Sequence, residues 1–389
     1  MNRRLGPRRL ATAMAAAAVG VLAGCGSTGL LGHRGTMTTE TSLESAAPVT
    51  TTTAASVTTI VTTTINGTTT TLDQPGLGRP TILLGDMNTP EQFIVGALYE
   101  DALEAQGYTV QLNRNIGPTS VSEAALAQGS LDIYPEYLNV YNTQVAGDTR
   151  RYGSLAQAYR AAQLWAGAHG ETLLRPTPFA DTAGIAVLSS YARIHHLRDL
   201  ADLRRVEDDL TLGSPLEFSA EPTGLDSLEA AYQFTPAVTT AINIGSQYDG
   251  LAIGTLQASY VQTTDWQLSG PLYSTLADSK HLLGFGNVVP VVSEKVLVQE
   301  GPAFARAINQ VDALLSMSAI RGLAAEMRAS TDPAMSATDV AQEFLQGYDI
   351  GPPPPWATLT ATTTTTTTTP ITTTAAATAP ATSLTATGP

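Results

Sequence analysis

Between residues 80 and 350 the apolar positions fall into short runs and helical stripes that alternate along the chain. Thr81-Ile82-Leu83-Leu84 is a four-residue apolar run ending at Gly85, the pattern of a buried strand. Thr89-Pro90-Glu91-Gln92 then opens a helix, with Thr89 as cap, Pro90 at the first helical position and Gln92 closing a capping box. Phe93, Val95, Leu98 and Leu103 form its buried face, and Gly107 stops it. A strand over Tyr108–Leu112, a helix over Ser120–Gln128 stopped by Gly129, and a strand over Leu131–Tyr134 complete a βαβαβ unit. Such a unit implies a parallel sheet with right-handed crossovers. Further strands are expected at Gly184–Leu188, Leu210–Gly213 and Leu251–Thr255, with a helix at Leu155–Ala166. The C-terminal part reads as three helices, Ala303–Met317, Ala319–Ala329 and Ala337–Gln346. The class is α/β.

Outside this core the pattern vanishes. Threonine makes up 17 of the 36 residues from Thr36 to Thr71 and 17 of the 33 from Ala357 to Pro389. Neither stretch has an apolar period of 2 or 3.6, so both are expected to be disordered. The first reads as a tether and the second as a free tail behind Pro352–Pro355. The 271 residues from 80 to 350 are comfortable for two lobes.

The first 25 residues read as an address. Arg3, Arg4, Arg8 and Arg9 precede an apolar run, Leu10 to Ala23, that ends Leu22-Ala23-Gly24-Cys25. A basic start, a short apolar stretch and small residues at the cut describe an export signal. Cys25 is the single cysteine of the chain, which excludes an internal disulfide and a cysteine-based zinc cluster. Removing residues 1–24 leaves 16 bases against 34 acids, a net charge of −18. A surface so acidic repels polyphosphate, and nucleic-acid binding is excluded.

Signatures of catalysis are missing: no glycine-rich phosphate loop, no G-x-S-x-G and no H-E-x-x-H. No enzyme activity, cofactor or metal is expected. His195-His196 is read as a polar loop before Leu197, and Asp208-Asp209 as solvated surface charge.

Three segments at these spacings carry a resemblance. They are Gly85-Asp86-Met87-Asn88-Thr89-Pro90-Glu91-Gln92, then Asp132-Ile133-Tyr134-Pro135-Glu136-Tyr137, then Glu217-Phe218-Ser219-Ala220-Glu221-Pro222-Thr223-Gly224-Leu225. They resemble the Gly-Ser-Lys-x-Phe-x-Glu-Gln, Asp-Leu-Tyr-x-Glu-Tyr and Glu-Phe-x-x-Arg-x-Asp-Gly segments of substrate-binding proteins of ABC importers for glycine betaine, choline and related osmoprotectants. Thr263-Thr264-Asp265 and Leu276–Lys280 continue the match. The resemblance implies a two-lobed periplasmic-binding-protein-like fold of type II, with ligand held in the cleft between lobes. It implies 1–24 as a lipoprotein signal, 25–79 as lipid anchor and linker, 80–350 as the binding domain and 351–389 as tail. Lobe 1 would comprise about 80–180 plus 288–350, and lobe 2 about 181–287. Leu-Ala-Gly-Cys resembles the bacterial lipobox, so Cys25 is the expected lipidation site. The expected partners are a small solute, an ABC permease with its ATPase, and the outer face of the cell membrane, with the receptor a monomer.

A quaternary ammonium cannot donate hydrogen bonds, so aromatic faces and carboxylates hold it, while a betaine's carboxylate needs cationic donors. By the resemblance, Tyr137 is a wall of the aromatic cage and Asp181 its aspartate. The family's carboxylate-binding Lys, Thr and Arg fall at Met87, Val140 and Glu221, and its other cage tyrosines fall at Ala183, Gln262 and Gly286, with Phe285 one residue away. Met87, Tyr137, Val140, Asp181, Ala183, Glu221 and Gln262 are therefore the expected ligand-facing set. Losing all three carboxylate contacts, and reversing one charge, favours choline-like cations over glycine betaine. Tyr134 and Tyr141 are read as packing, Glu136 as loop support, and Trp266 as either cleft or lobe surface. A second reading keeps the fold with a degenerate pocket, as a cell-surface interaction or sensing protein.

Overall fold

The computed structural model describes residues 56–65, 68–329, 335–351 and 358–366. The export signal, Cys25 and the remaining Thr-rich sequence lie outside the described residues. After two Thr-rich strands, β1 (Ser56–Ile65) and β2 (Thr68–Leu72), the expected βαβαβ unit appears as β3 (Ile82–Gly85), α1 (Pro90–Glu104), β4 (Val110–Asn113), α2 (Thr119–Gln128) and β5 (Ile133–Tyr137). Short helical turns over Leu138–Val145 lead to α3 (Leu155–Ala168) and β6 (Glu171–Leu173). A second group follows: β7 (Ala183–Leu188), α4 (Ser189–His195), β8 (Thr211–Ser214), α5 (Leu216–Ala220), α6 (Leu225–Tyr232), β9 (Val238–Ala241), α7 (Gln247–Ala252), β10 (Ala258–Gln262) and β11 (Tyr273–Thr275). The chain then re-enters the first sheet as β12 (Val288–Ser293), before α8 (Glu294–Glu300), α9 (Pro302–Leu314), α10 (Met317–Ala329), α11 (Ala337–Gln346) and β13 (Thr358–Thr366).

Two five-stranded sheets give two lobes. The first has the order β4-β3-β5-β12-β6, with β12 antiparallel to both neighbours. The second has the order β11-β7-β10-β8-β9, with β8 parallel to β9 and β10. Ile94, Leu98, Leu103, Phe304, Ile308 and Ile320 are among the fully buried side chains that seal α1, α9 and α10 to the first sheet. Leu200, Leu203, Leu212, Leu228 and Phe234 fill the second. In both sheets the strand order reverses, at β3/β5 in the first and at β8/β10 in the second. Open α/β sheets leave a crevice beyond the strand ends at such a reversal.

The chain crosses between lobes twice, before β7 and after β11, and the two crossings pair. Ala180 bridges Asn287 and the Asp181 amide donates to the Gly286 carbonyl at 2.8 Å.

Several local expectations are corrected. Leu251–Thr255 is not a strand: Leu251 and Ala252 end α7, and the strand is Ala258–Gln262. A five-residue apolar run carries no periodicity that separates the two. The helix expected over Ala303–Met317 stops at Leu314, and Met317 begins the next one. His195 closes α4, and His196 caps it with a left-handed backbone rather than lying in a loop. Thr89 starts α1 but its side chain does not cap it, being committed elsewhere.

The Thr-rich segments, expected to be disordered, are paired over Ser56–Ile65, Thr68–Leu72 and Thr358–Thr366. They form an antiparallel sheet of order β13-β1-β2, with Ser56 opposite Thr366 and Thr64 opposite Thr358. Threonine is β-branched and favours extended backbone, and ladder hydrogen bonds need no apolar period. The strand β1, ahead of the first lobe, thus pairs with β13, the strand after α11. Deleting residues 352–389 would leave β1 and β2 as an isolated two-stranded ribbon, which is marginal in water. Amide exchange over 56–65 should then accelerate by at least about tenfold. Unchanged protection would mean that β13 does not hold β1.

Among the described residues no helix is long and apolar enough to cross a membrane.

Candidate functional site

The β3/β5 reversal places Met87 just beyond β3 and Tyr137 at the last position of β5. The β8/β10 reversal places Gln262 at the end of β10 and Glu221 just after α5. Met87, Tyr137 and Gln262 thus stand at strand ends where a ligand crevice forms, and Glu221 follows the helix after β8. Asp181 lies on the first crossing segment, and Ala183 opens β7 directly opposite Gln262.

Tyr137 is the centre of a polar knot. Its hydroxyl donates to Glu91 Oε1 and accepts from Thr89 Oγ1 at 3.0 Å. Burial first, then the charges of Glu91 and Asp181, push the phenol well above its usual range. Asp181 accepts from Thr264 Oγ1 at 2.7 Å. Its carboxyl is pushed up to about 8, chiefly by burial and next by Glu91, with Thr264 opposing. Asp265 accepts from the Gln262 amide at 3.1 Å and the Tyr248 hydroxyl at 2.8 Å, and burial raises it as well. Tyr260 is buried against Phe218, its hydroxyl raised to about 12 by burial and then by Asp181, Asp265 and Glu221. Three carboxylates therefore act on one buried phenol. Among the described residues no Lys or Arg side chain hydrogen-bonds to Glu91, Asp181 or Tyr137.

The loop before α1 is fixed from behind. Asp86 is fully buried, accepts from the Asn115 amide at 2.6 Å and pairs with Arg114 at 3.3 Å. Burial still raises its carboxyl to about 6. This clamp sets where Met87 sits, packed beside Tyr134, Tyr141 and Phe285. Tyr134 and Tyr141 are fully buried. Glu136 is buried and accepts from the Tyr137 amide at 2.7 Å, holding the loop that carries Tyr137.

The structure does not gather the whole expected set equally. Tyr137 and Asp181 are neighbours through Glu91. Ala183 and Phe285 line one cavity of about 160 Å³, with Thr182, Thr263 and His281. Val140 is half-buried on the turn after Tyr137. Glu221 is exposed, its link to the rest being its field on Tyr260. Trp266 is 40% exposed. Glu91, Thr264, Asp265 and Tyr260 were not in the expected set. Glu91 lies within the expected capping box, Thr264 and Asp265 lie in the segment that continues the family match without a role attached, and Tyr260 meets the site through long-range folding.

Two buried acceptors, Gln262 Oε1 and Asn139 Oδ1, have no hydrogen-bond partner among the described residues. Such groups are costly unless a donor meets them. No cluster of three or more His, Cys, Asp or Glu that could hold a metal occurs among the described residues.

Residues 80–347 match the OpuAC family, described as the substrate binding domain of ABC-type glycine betaine transport system. A glycine-betaine-binding protein of Pseudomonas aeruginosa is 28% identical over 285 residues, covering 69% of this chain and 88% of its own. The glycine betaine-binding protein YehZ of Escherichia coli is 26% identical over 281 residues, covering 68% and 90%. The carnitine transport binding protein OpuCC of Listeria monocytogenes is 24% identical over 287 residues, covering 70% and 89%. Two solved structures share the two-lobed fold. A glycine betaine/carnitine/choline ABC transporter structure superposes with a TM-score of 0.65 at 22% identity, covering 69% of this chain and 99% of that one. Apo YehZ of Escherichia coli superposes with a TM-score of 0.61 at 24% identity, with coverages of 69% and 99%.

Proposed function

The chain belongs to the OpuAC family of substrate-binding domains of ABC-type glycine betaine transport systems, and on that premise we propose that it captures a carboxylate-free quaternary ammonium such as choline. It is a transport receptor, not an enzyme. It hands its solute to an ABC permease driven by an ATPase. We read Cys25 as its lipid anchor on the outer face of the membrane and the receptor as a monomer. Two acyl chains, at roughly 0.8 kcal/mol per buried CH₂, would hold it there stably.

The observation that carries the ligand reading is the pairing of Glu91 and Asp181 around Tyr137 without a cationic partner. A buried cation would relieve the mutual repulsion of the two carboxylates, and the phenol ring offers it a π-face. A betaine would bring a carboxylate into the same field, at a cost. The unpaired acceptor Gln262 Oε1 supports the same choice, because choline has a hydroxyl to donate and glycine betaine has no donor.

Affinity should depend on pH with a definite sign. The cation favours ionised Asp181, which is protonated below about 8 in the ligand-free protein. Choline affinity is expected to rise by up to about tenfold per pH unit below 8 and to level off above it. Titrations from pH 6 to 9 check this, and a flat profile would exclude Asp181 as the counter-charge.

A further inference from the structure

The site described above stops at the cleft, yet one residue outside it ties the two lobes together. Arg321 lies on α10, whose Ile320 and Leu323 are buried in the core of the first lobe. Its guanidinium does not stay there. Nε donates to the Thr263 carbonyl at 2.7 Å and Nη1 to the Leu268 carbonyl at 3.3 Å. Leu268 is packed in the second lobe against Tyr248, Leu251 and Val261.

The segment so held is the one that organises the candidate site. Thr263 Oγ1 donates to the Ala180 carbonyl at 2.7 Å, and the Thr182 amide donates back to Thr263 Oγ1 at 2.9 Å. Thr264 donates to Asp181, and Asp265 accepts the Gln262 amide. Residues 263–265 thus help place both Asp181 and Gln262, beside the Ala183 pairing of Gln262 and the Gly286 contact of Asp181. Burying a guanidinium against carbonyls instead of a carboxylate is expensive, and burial lowers its pKa accordingly. A brace of this kind fixes position by its rigid planar fork, which an ammonium cannot imitate.

We propose that Arg321 is a positioning residue that latches the first lobe to the Thr263–Asp265 segment and so holds Asp181 and Gln262 in binding geometry without touching the ligand. In the ligand-free protein, Arg321→Gln and Arg321→Lys should speed amide exchange at Gln262, Thr263 and Asp265 by about tenfold or more, leaving Ile133 in the first sheet unchanged. This arm is independent of the ligand. The second arm rests on the function proposed above and uses choline as probe. Arg321→Gln should weaken choline binding about tenfold, through a faster dissociation rate. If it acts through Thr264, its effect and that of Thr264→Val should not add: the double variant should bind about as weakly as the weaker single one. A merely structural loss would speed neither exchange nor dissociation selectively and would add to Thr264→Val. Unchanged exchange at Gln262, Thr263 and Asp265, or additive losses in the double variant, would overturn the proposal. Exchange that accelerates equally at Ile133 would overturn it too, by showing general unfolding.

Discussion

Asp181→Asn is expected to weaken choline binding by at least about a hundredfold, measured at pH 9 where the wild-type carboxyl is ionised. The Asn side chain keeps the size and the acceptor for Thr264 Oγ1, which donates to Asp181 at 2.7 Å, and removes only the charge. Removing one member of a buried charge pair costs about 3–5 kcal/mol, and 1.4 kcal/mol is a tenfold change in affinity. Stability should move the other way. Burial lifts the Asp181 carboxyl from 3.8 to about 8, so the folded state binds this proton more tightly than the unfolded one. The stability it contributes is complete below about pH 4 and is lost as pH rises toward 8. An uncharged Asn has no such loss. The variant should therefore melt no lower than wild type at pH 8 while failing to bind. A less than threefold loss of affinity would show that Asp181 does not face the ligand.

The second large effect is expected at the hinge. A Cβ on Gly286 would fall 1.7 Å from the Asp181 carbonyl oxygen and 2.6 Å from its carbon. These are backbone atoms of the other crossing segment, and no rotamer change can relieve the contact. Gly286→Ala must push the two crossings apart, breaking the Asp181 amide bond to the Gly286 carbonyl and the bridge between Ala180 and Asn287. Overpacking that displaces backbone costs about 3 kcal/mol, or roughly 6–10 °C in melting temperature for a domain of this size. Gly129→Ala is the contrasting case. Gly129 caps α2 at φ 72° with nothing within 4 Å of its would-be Cβ, so it should lose only about 1 kcal/mol. Equal melting temperatures for the two variants would contradict the hinge geometry. The family's tyrosine was placed at Gly286 by sequence alone, and the crossing shows why no side chain fits there.

What the sequence made legible was local. The alternation of short apolar runs and glycine-stopped helices from Ile82 to Tyr137 recurs element for element, because each unit carries its own period and its own terminator. Convergence was harder to see. Thr264 and Asp265 stand in a segment that continues the family match, but nothing local gives them a role, and the antiparallel pairing of β7 with β10 is what brings that segment beside Asp181. Glu91 was hidden by its success as a helix-start residue, since Thr89 and Glu91 both turn to the Tyr137 hydroxyl. The capping box expected from Thr89 and Gln92 does not form for that reason, and both polar atoms of Gln92 are buried with no partner among the described residues. In the Thr-rich segments, the absence of an apolar period predicts disorder. A long-range strand partner answered the backbone's hydrogen bonds instead, which no local pattern foretells.

Selection of a cation without a carboxylate is the property expected of the altered cleft. It is tested most directly by calorimetric titration of the protein, unfolded and refolded to strip carried-over solute, with choline and glycine betaine in parallel at pH 8.5. Micromolar binding of choline is expected, with at least about a hundredfold weaker binding of glycine betaine. Glycine betaine binding as tightly as choline would contradict it, because the carboxylates of Glu91 and Asp181 could not then dominate the pocket.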